Sequence, residues 1–215
     1  MNPVATAAQT ATRKAASARR WLRLIRMLPL ALVAMIAATA FALPGNPAAA
    51  QPASLQKDFP LPPTLAGFNK GEVTDFETKK AGLGYGINYG RSGWRADIYI
   101  YDMGLAFVPT GPKNKVMDAQ LERAKQDILA VQKAGGYSNV QIKRSFEVKD
   151  ANGKPAFSCI ALQLVRQDMG ASDSFLCLTG AAGKFVKVRI STAQSADSAD
   201  TAERFLKELA GILPK

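Results

Sequence analysis

Phe157-Ser-Cys-Ile-Ala-Leu-Gln-Leu-Val165, Ser174-Phe-Leu-Cys-Leu-Thr179 and Lys184-Phe-Val-Lys-Val-Arg-Ile-Ser-Thr192 are three apolar runs within one stretch, Lys154 to Thr192. Asp168-Met-Gly-Ala-Ser-Asp173 and Gly180-Ala-Ala-Gly183 separate them. Short apolar runs bounded by Gly, Asp and Ser are strand signals, so the stretch predicts an antiparallel meander. Successive side chains on a strand point to opposite faces. The even positions Ile160, Leu162, Leu164, Leu176, Leu178, Val186, Val188 and Ile190 are all aliphatic. They predict one face packed on helices. The odd positions are mixed and hold Cys159 and Cys177 alongside Lys187 and Arg189. A hairpin centred on Asp168 sets the two cysteines opposite each other, within reach of a disulfide. Closing a loop of about 15–20 residues stabilises by about 3 kcal/mol in the loop-entropy model.

Upstream, Asn152-Gly153 is a hairpin turn reached from the strand Asn139 to Val148. Its inward positions are Val140, Ile142, Phe146 and Val148, interrupted by Arg144. Before it, Met117, Leu121, Ala124, Ile128 and Val131 step by four and three, an amphipathic helix ended by Gly135-Gly136. Gly82-Leu-Gly-Tyr-Gly-Ile-Asn-Tyr89 alternates large and bare positions and pairs with Ala96-Asp-Ile-Tyr-Ile-Tyr101 through Arg91-Ser-Gly-Trp94. Glu72 to Thr78 reads as a further strand. Downstream, Ala202, Phe205, Leu206, Leu209, Ile212 and Leu213 form a second apolar stripe, with Ser198 as its N-cap. The expected architecture is a single α+β domain over 71–215. It is a mainly antiparallel sheet of about six strands with two amphipathic helices.

The N-terminus has a different purpose. Arg13, Lys14, Arg19, Arg20, Arg23 and Arg26 precede the apolar run Met27 to Phe41, and Ala48-Ala-Ala50 offers small residues for cleavage. This is a signal-peptide pattern over 1–50, predicting a periplasmic or secreted protein beginning at Gln51. An uncleaved anchor needs about 20 apolar residues, more than this run has. Arg19-Arg20-Trp21-Leu22 resembles a twin-arginine signal, although an ordinary Sec leader uses the same basic residues. Residues 51–70 form a Pro-rich entry segment, with Phe59, Leu61, Leu65 and Phe68 available to pin it to the domain. Removing six positive charges from 28 leaves 22 against 17 acids, a net charge of +5. That balance, with export, argues against nucleic acid as a partner. Two cysteines in an exported chain are expected to pair.

There is no histidine, which removes Ser-His and Cys-His nucleophiles and the commonest metal ligand. No cofactor or metal motif is present. Gly82-x-Gly84-x-Gly86 lies inside a strand, with no helix opening after it to hold a dinucleotide. Asp97 with Asp102, and Asp168 with Asp173, are carboxylate pairs of the kind a small periplasmic enzyme would use, although turn acids have the same appearance. The best binding candidates are Tyr85, Tyr89, Trp94, Tyr99 and Tyr101, which either line a pocket or form core and cross-strand pairs. A second candidate is a basic sheet face of Lys184, Lys187 and Arg189, joined by Lys143 and Arg144, suited to an anionic lipid or an acidic partner.

Tyr85-Gly-Ile-Asn-Tyr89 followed by Trp94, then a strand, a helix, hairpin strands and a C-terminal helix, resembles the PsbP-like fold. That fold includes photosystem extrinsic subunits and DcrB-type bacterial envelope proteins. The Pro that such families often place before the Trp is replaced here by Arg91-Ser-Gly-Trp94. The resemblance spans Gly71 to Leu213. It implies a non-catalytic accessory or binding role in the envelope, toward an envelope protein or a small ligand, and carries over no catalytic residue.

Overall fold

The computed structural model describes residues 57–166 and 170–214. The leader, its cleavage after Ala50 and the turn centre at Asp168 lie outside the described residues.

Eight strands form one antiparallel sheet. They are β1 (Thr64–Leu65), β2 (Phe68–Asp75), β3 (Tyr85–Arg91), β4 (Trp94–Tyr101), β5 (Asn139–Lys149), β6 (Pro155–Arg166), β7 (Gly170–Ala181) and β8 (Lys184–Ala193). Helix α1 (Lys115–Lys133) follows β4 and helix α2 (Ser198–Ile212) follows β8. The class is α+β, as the patterning predicts, but the sheet is wider than six strands. One addition is β1, two residues inside the Pro-rich entry, where strand patterning cannot register. Phe59, Leu61, Leu65 and Phe68 of that entry are all buried.

The strand order is β1-β2-β3-β4-β8-β7-β6-β5. Two hairpin series therefore meet at a central seam, where β8 lies against β4 with Ile98 opposite Val188 and Tyr99 opposite Lys187. In the other series Cys159 lies opposite Cys177, and the two form a disulfide.

The two faces are sorted differently from the parity reading. Ala181 pairs with Lys184, so the β7–β8 turn contains only Ala182 and Gly183 and opposes odd positions of β7 to even positions of β8. Val186, Val188 and Ile190 consequently share a face with Cys159 and Cys177, not with Leu176 and Leu178. A bulge between Ile142 and Arg144 has a similar effect in β5. Beyond it, Phe146 and Val148 turn to the cysteine face, while Val140 stays on the other and Ile142 is exposed.

Helix α2 covers the cysteine face. Ala202, Phe205, Leu206 and Leu209 are buried there with Tyr85, Ile87, Tyr89, Ile98 and Val188. Phe205 meets the rings of Phe68 and Tyr89 edge-on at 5.0 and 5.9 Å. Asp197, not Ser198, occupies the N-cap position of α2, without a side-chain cap bond. The Ser198 hydroxyl instead donates to Asp173 Oδ2 at 2.7 Å, tying the helix start to β7.

Helix α1 lies on the opposite face. Asn114 caps it by accepting from the Met117 N–H at 3.0 Å. Ala124 and Ile128 pack with Ile160, Leu162, Leu164 and Leu176, and Met117 with Leu178 and Phe185. Alpha-helical cover thus falls on the β6–β7 part of this face. The part around Tyr99 of β4 and Lys187 of β8 remains open beside the helix.

Candidate functional site

The open part is a groove floored by β4 and β8 and walled by α1. Its middle section, about 310 Å³, is lined by Phe76, Leu83, Tyr99, Tyr101, Gln120, Arg123, Asp127 and Lys187, with Met103 at its edge. It runs into a wider depression of about 550 Å³ at the start of α1, with Met103, Gln120 and Arg123 common to both. In the other direction Tyr99, Asp127 and Lys187 continue into a smaller hollow that reaches Arg189.

Register explains the floor. Tyr99 and Tyr101 are odd positions of β4, and the β4–β8 pairing sets them beside Lys187 and Phe185. The Lys187 ammonium stands over two ring faces, 4.7 Å from the Tyr99 centroid and 5.5 Å from that of Tyr101. Ring quadrupoles attract cations placed this way. Burial pushes the Lys187 amine down from its ordinary value, and Arg189 pushes the same way, against the pull of Asp127. Burial raises the Tyr101 phenol to about 12, and its oxygen accepts from Gln120 Nε2 at 2.8 Å. Tyr99 is also raised, first by burial and then by Asp97.

The five aromatic candidates do not converge. Tyr85 and Tyr89 face the α2 core and are almost fully buried. The Tyr89 hydroxyl donates to the Pro62 carbonyl at 2.6 Å, holding the entry segment down. Trp94 packs edge-on against Phe68 at 6.0 Å, with the Arg91 guanidinium 5.2 Å from its ring. Only Tyr99 and Tyr101 reach the groove, because odd positions of β3 pair with even positions of β4. The bare face of β3 is closed over: a side-chain carbon on Gly86 would lie 3.0 Å from the Phe76 ring and 3.3 Å from that of Tyr99.

The basic candidates separate as well. Lys184 is ion-paired to Asp102. The Arg189 guanidinium donates to the Tyr137 hydroxyl at 2.7 Å and to Ser174 at 3.3 Å. Lys143 and Arg144 lie on β5, three strands from β8. The described acids of the carboxylate pairs are engaged too. Asp97 binds Arg95 through both oxygens, Asp102 takes Lys184 and the Gly104 N–H, and Asp173 anchors α2. Among the described residues no cluster of His, Cys, Asp or Glu could hold a metal ion.

What sequence reading passed over is the helix wall. Gln120, Arg123 and Asp127 step by three and four along α1, one position off the apolar stripe Met117, Leu121, Ala124, Ile128. A polar stripe flanking an apolar one is the available signal for a groove edge.

The site is therefore a sheet-floored, helix-walled groove in an antiparallel α+β domain, with aromatic and cationic lining. The chain is similar to the solution structure of cyanobacterial PsbP (CyanoP) from Synechocystis sp. PCC 6803. The identity is 14%, over 66% of this chain and 79% of that one, with a TM-score of 0.42. No protein-family model and no curated protein matches the chain.

Proposed function

We propose that this chain is an exported, non-catalytic binding protein of the bacterial envelope, and that the groove between α1 and the β4–β8 seam takes a small organic anion. The observation carrying this reading is the Lys187 ammonium. It stands over Tyr99 and Tyr101 in an open groove, with no hydrogen bond or ion pair among the described residues. A half-buried cation over ring faces, with Asp127 of the same groove acting on it through space but not bonded to it, keeps its donors for an incoming acceptor. Arg123 at the rim adds positive charge, Gln120 adds donors, and Phe76, Leu83 and Met103 give the apolar contact that a ligand's carbon frame requires. Export is supported by the disulfide and by the leader pattern. The element order that resembles DcrB-type envelope proteins is compatible with that placement.

Titration calorimetry against a panel of small mono- and dicarboxylates, with inorganic phosphate alongside, tests the reading. At least one carboxylate is expected to bind, and Lys187→Met to remove that binding. A panel without heat, or binding that survives Lys187→Met, rejects it.

A further inference from the structure

We infer that the end of the sheet carrying the β4–α1 loop docks on an anionic lipid surface. The loop Gly104-Leu-Ala-Phe107 leaves β4 and exposes two large apolar side chains, Leu105 at 46% and Phe107 at 69%, with Val116 of α1 at 37%. Leu105 and Val116 line one depression together with Lys115. This loop is not slack. Val108, next to Phe107, is fully buried with Met117 and Leu178. Gly111 and Gly180 exchange backbone hydrogen bonds at 2.8 and 3.2 Å, and the Asp102 and Met103 N–H groups donate to the Gly82 carbonyl. Phe107 is thus held outward by a fixed base.

The same end collects the turns 76–84, 150–154 and 182–183, and its charges are asymmetric in use. The acids of the turns and strand ends here are engaged, while Asp118 in the first turn of α1 has no side-chain bond among the described residues. Glu77 accepts the Gly82 and Gly84 N–H groups, and Asp102 takes Lys184. Glu147 takes Lys113, and Asp150 accepts the Asn152 and Lys154 N–H groups. The exposed lysines Lys79, Lys80, Lys115, Lys149 and Lys154 have no carboxylate partner among the described residues. An aromatic tip at the sheet end that also carries these unpaired lysines matches the two layers of an anionic bilayer surface. The ring enters the acyl boundary and the ammonium groups meet the headgroups. The excess of exposed lysines over free acids at this end favours an anionic lipid surface as the occupant.

Phe107→Trp reports position 107 directly, whatever the N-terminus of the purified protein does. Its emission, corrected for the wild-type signal of the native tryptophans, is expected to shift to the blue with phosphatidylglycerol vesicles and to be quenched by brominated lipid. Phosphatidylcholine vesicles are expected to give a much smaller change. Neutralising Lys79, Lys80 and Lys115 to Gln weakens partitioning by about fivefold for each lysine. Phe107→Ser weakens it by about tenfold or more. Both sets of positions are exposed, so the variants are expected to unfold at the wild-type temperature. A residue 107 that stays in water at every vesicle composition overturns the inference. So does equal affinity for neutral and anionic vesicles, or partitioning unchanged by the lysine or Phe107→Ser variants.

Discussion

The Lys187 ammonium lies 4.7 Å from the centre of the Tyr99 ring, its cross-strand partner at the seam between β4 and β8. Because this amine forms no hydrogen bond among the described residues, Lys187→Met removes a partly desolvated charge and retains an apolar stem of similar length. Chemical denaturation of this variant is expected to give a stability within about 1 kcal/mol of wild type, or above it. Loss of anion binding together with a large loss of stability would show that Lys187 is structural instead.

The disulfide predicts a larger effect. Cys159 and Cys177 are 18 residues apart in sequence and joined across the β6–β7 pair. Replacing both by Ala frees that loop in the unfolded chain and is expected to cost about 2–4 kcal/mol. Urea unfolding of the double variant measures it. Both side chains sit in the α2 core, so part of the loss reflects packing. Reduction of the wild-type protein without substitution isolates the cross-link.

Gly180 tests the base of the β4–α1 loop. An added side-chain carbon there would fall 1.9 Å from the Pro109 carbonyl oxygen and 3.1 Å from the end of Met117. The first is backbone and cannot swing aside. Gly180→Ala is therefore expected to cost about 2–4 kcal/mol, in the range of severe core overpacking, while Gly211→Ala, with open space around it and no left-handed backbone, costs less. Thermal unfolding of the two variants side by side gives the comparison.

Alkaline pH should unfold the protein with a defined sign. Tyr89 and Tyr101 are raised by burial to about 12. Between their ordinary value of about 10 and about 12, the unfolded chain releases protons that the folded chain keeps. Stability present below pH 10 is then lost as pH rises, by at most about 1.4 kcal/mol per unit for each phenol. Lys187 acts oppositely: its lowered value makes stability rise with pH up to the ordinary lysine range. Urea unfolding between pH 9 and about 11.5 is expected to show a net fall, shallower in Tyr101→Phe.

The elements themselves are legible in the sequence. Turn residues bound them, and period-two and helical patterns fill them. The order of faces is less so. Parity along one strand is secure, but its transfer across a hairpin depends on how many residues the turn holds. Gly180-Ala-Ala-Gly183 contains a two-residue turn, and Gly180 belongs to the strand. The bulge after Ile142 has no residue of its own to announce it, only the misplaced Arg144. The groove follows from these choices. Tyr99 and Tyr101 are visible as strand aromatics, and Lys187 as a strand cation. Their meeting requires β8 to lie beside β4, a pairing between residues some ninety positions apart that no local pattern encodes.

That pairing bears on how the chain is assembled. The series β1 to β4 and the series β5 to β8 are each built from neighbouring hairpins, which close quickly because their loops are short. The seam between them is the slow, long-range event. Until β8 arrives, the first half presents β4 as a bare edge, and Ile98 and Ile100 on it are fully buried only once the seam forms. A chain emerging from its N-terminus therefore keeps this apolar edge unpartnered while residues 102–183 are made. The aggregation hazard of this protein is concentrated in that interval.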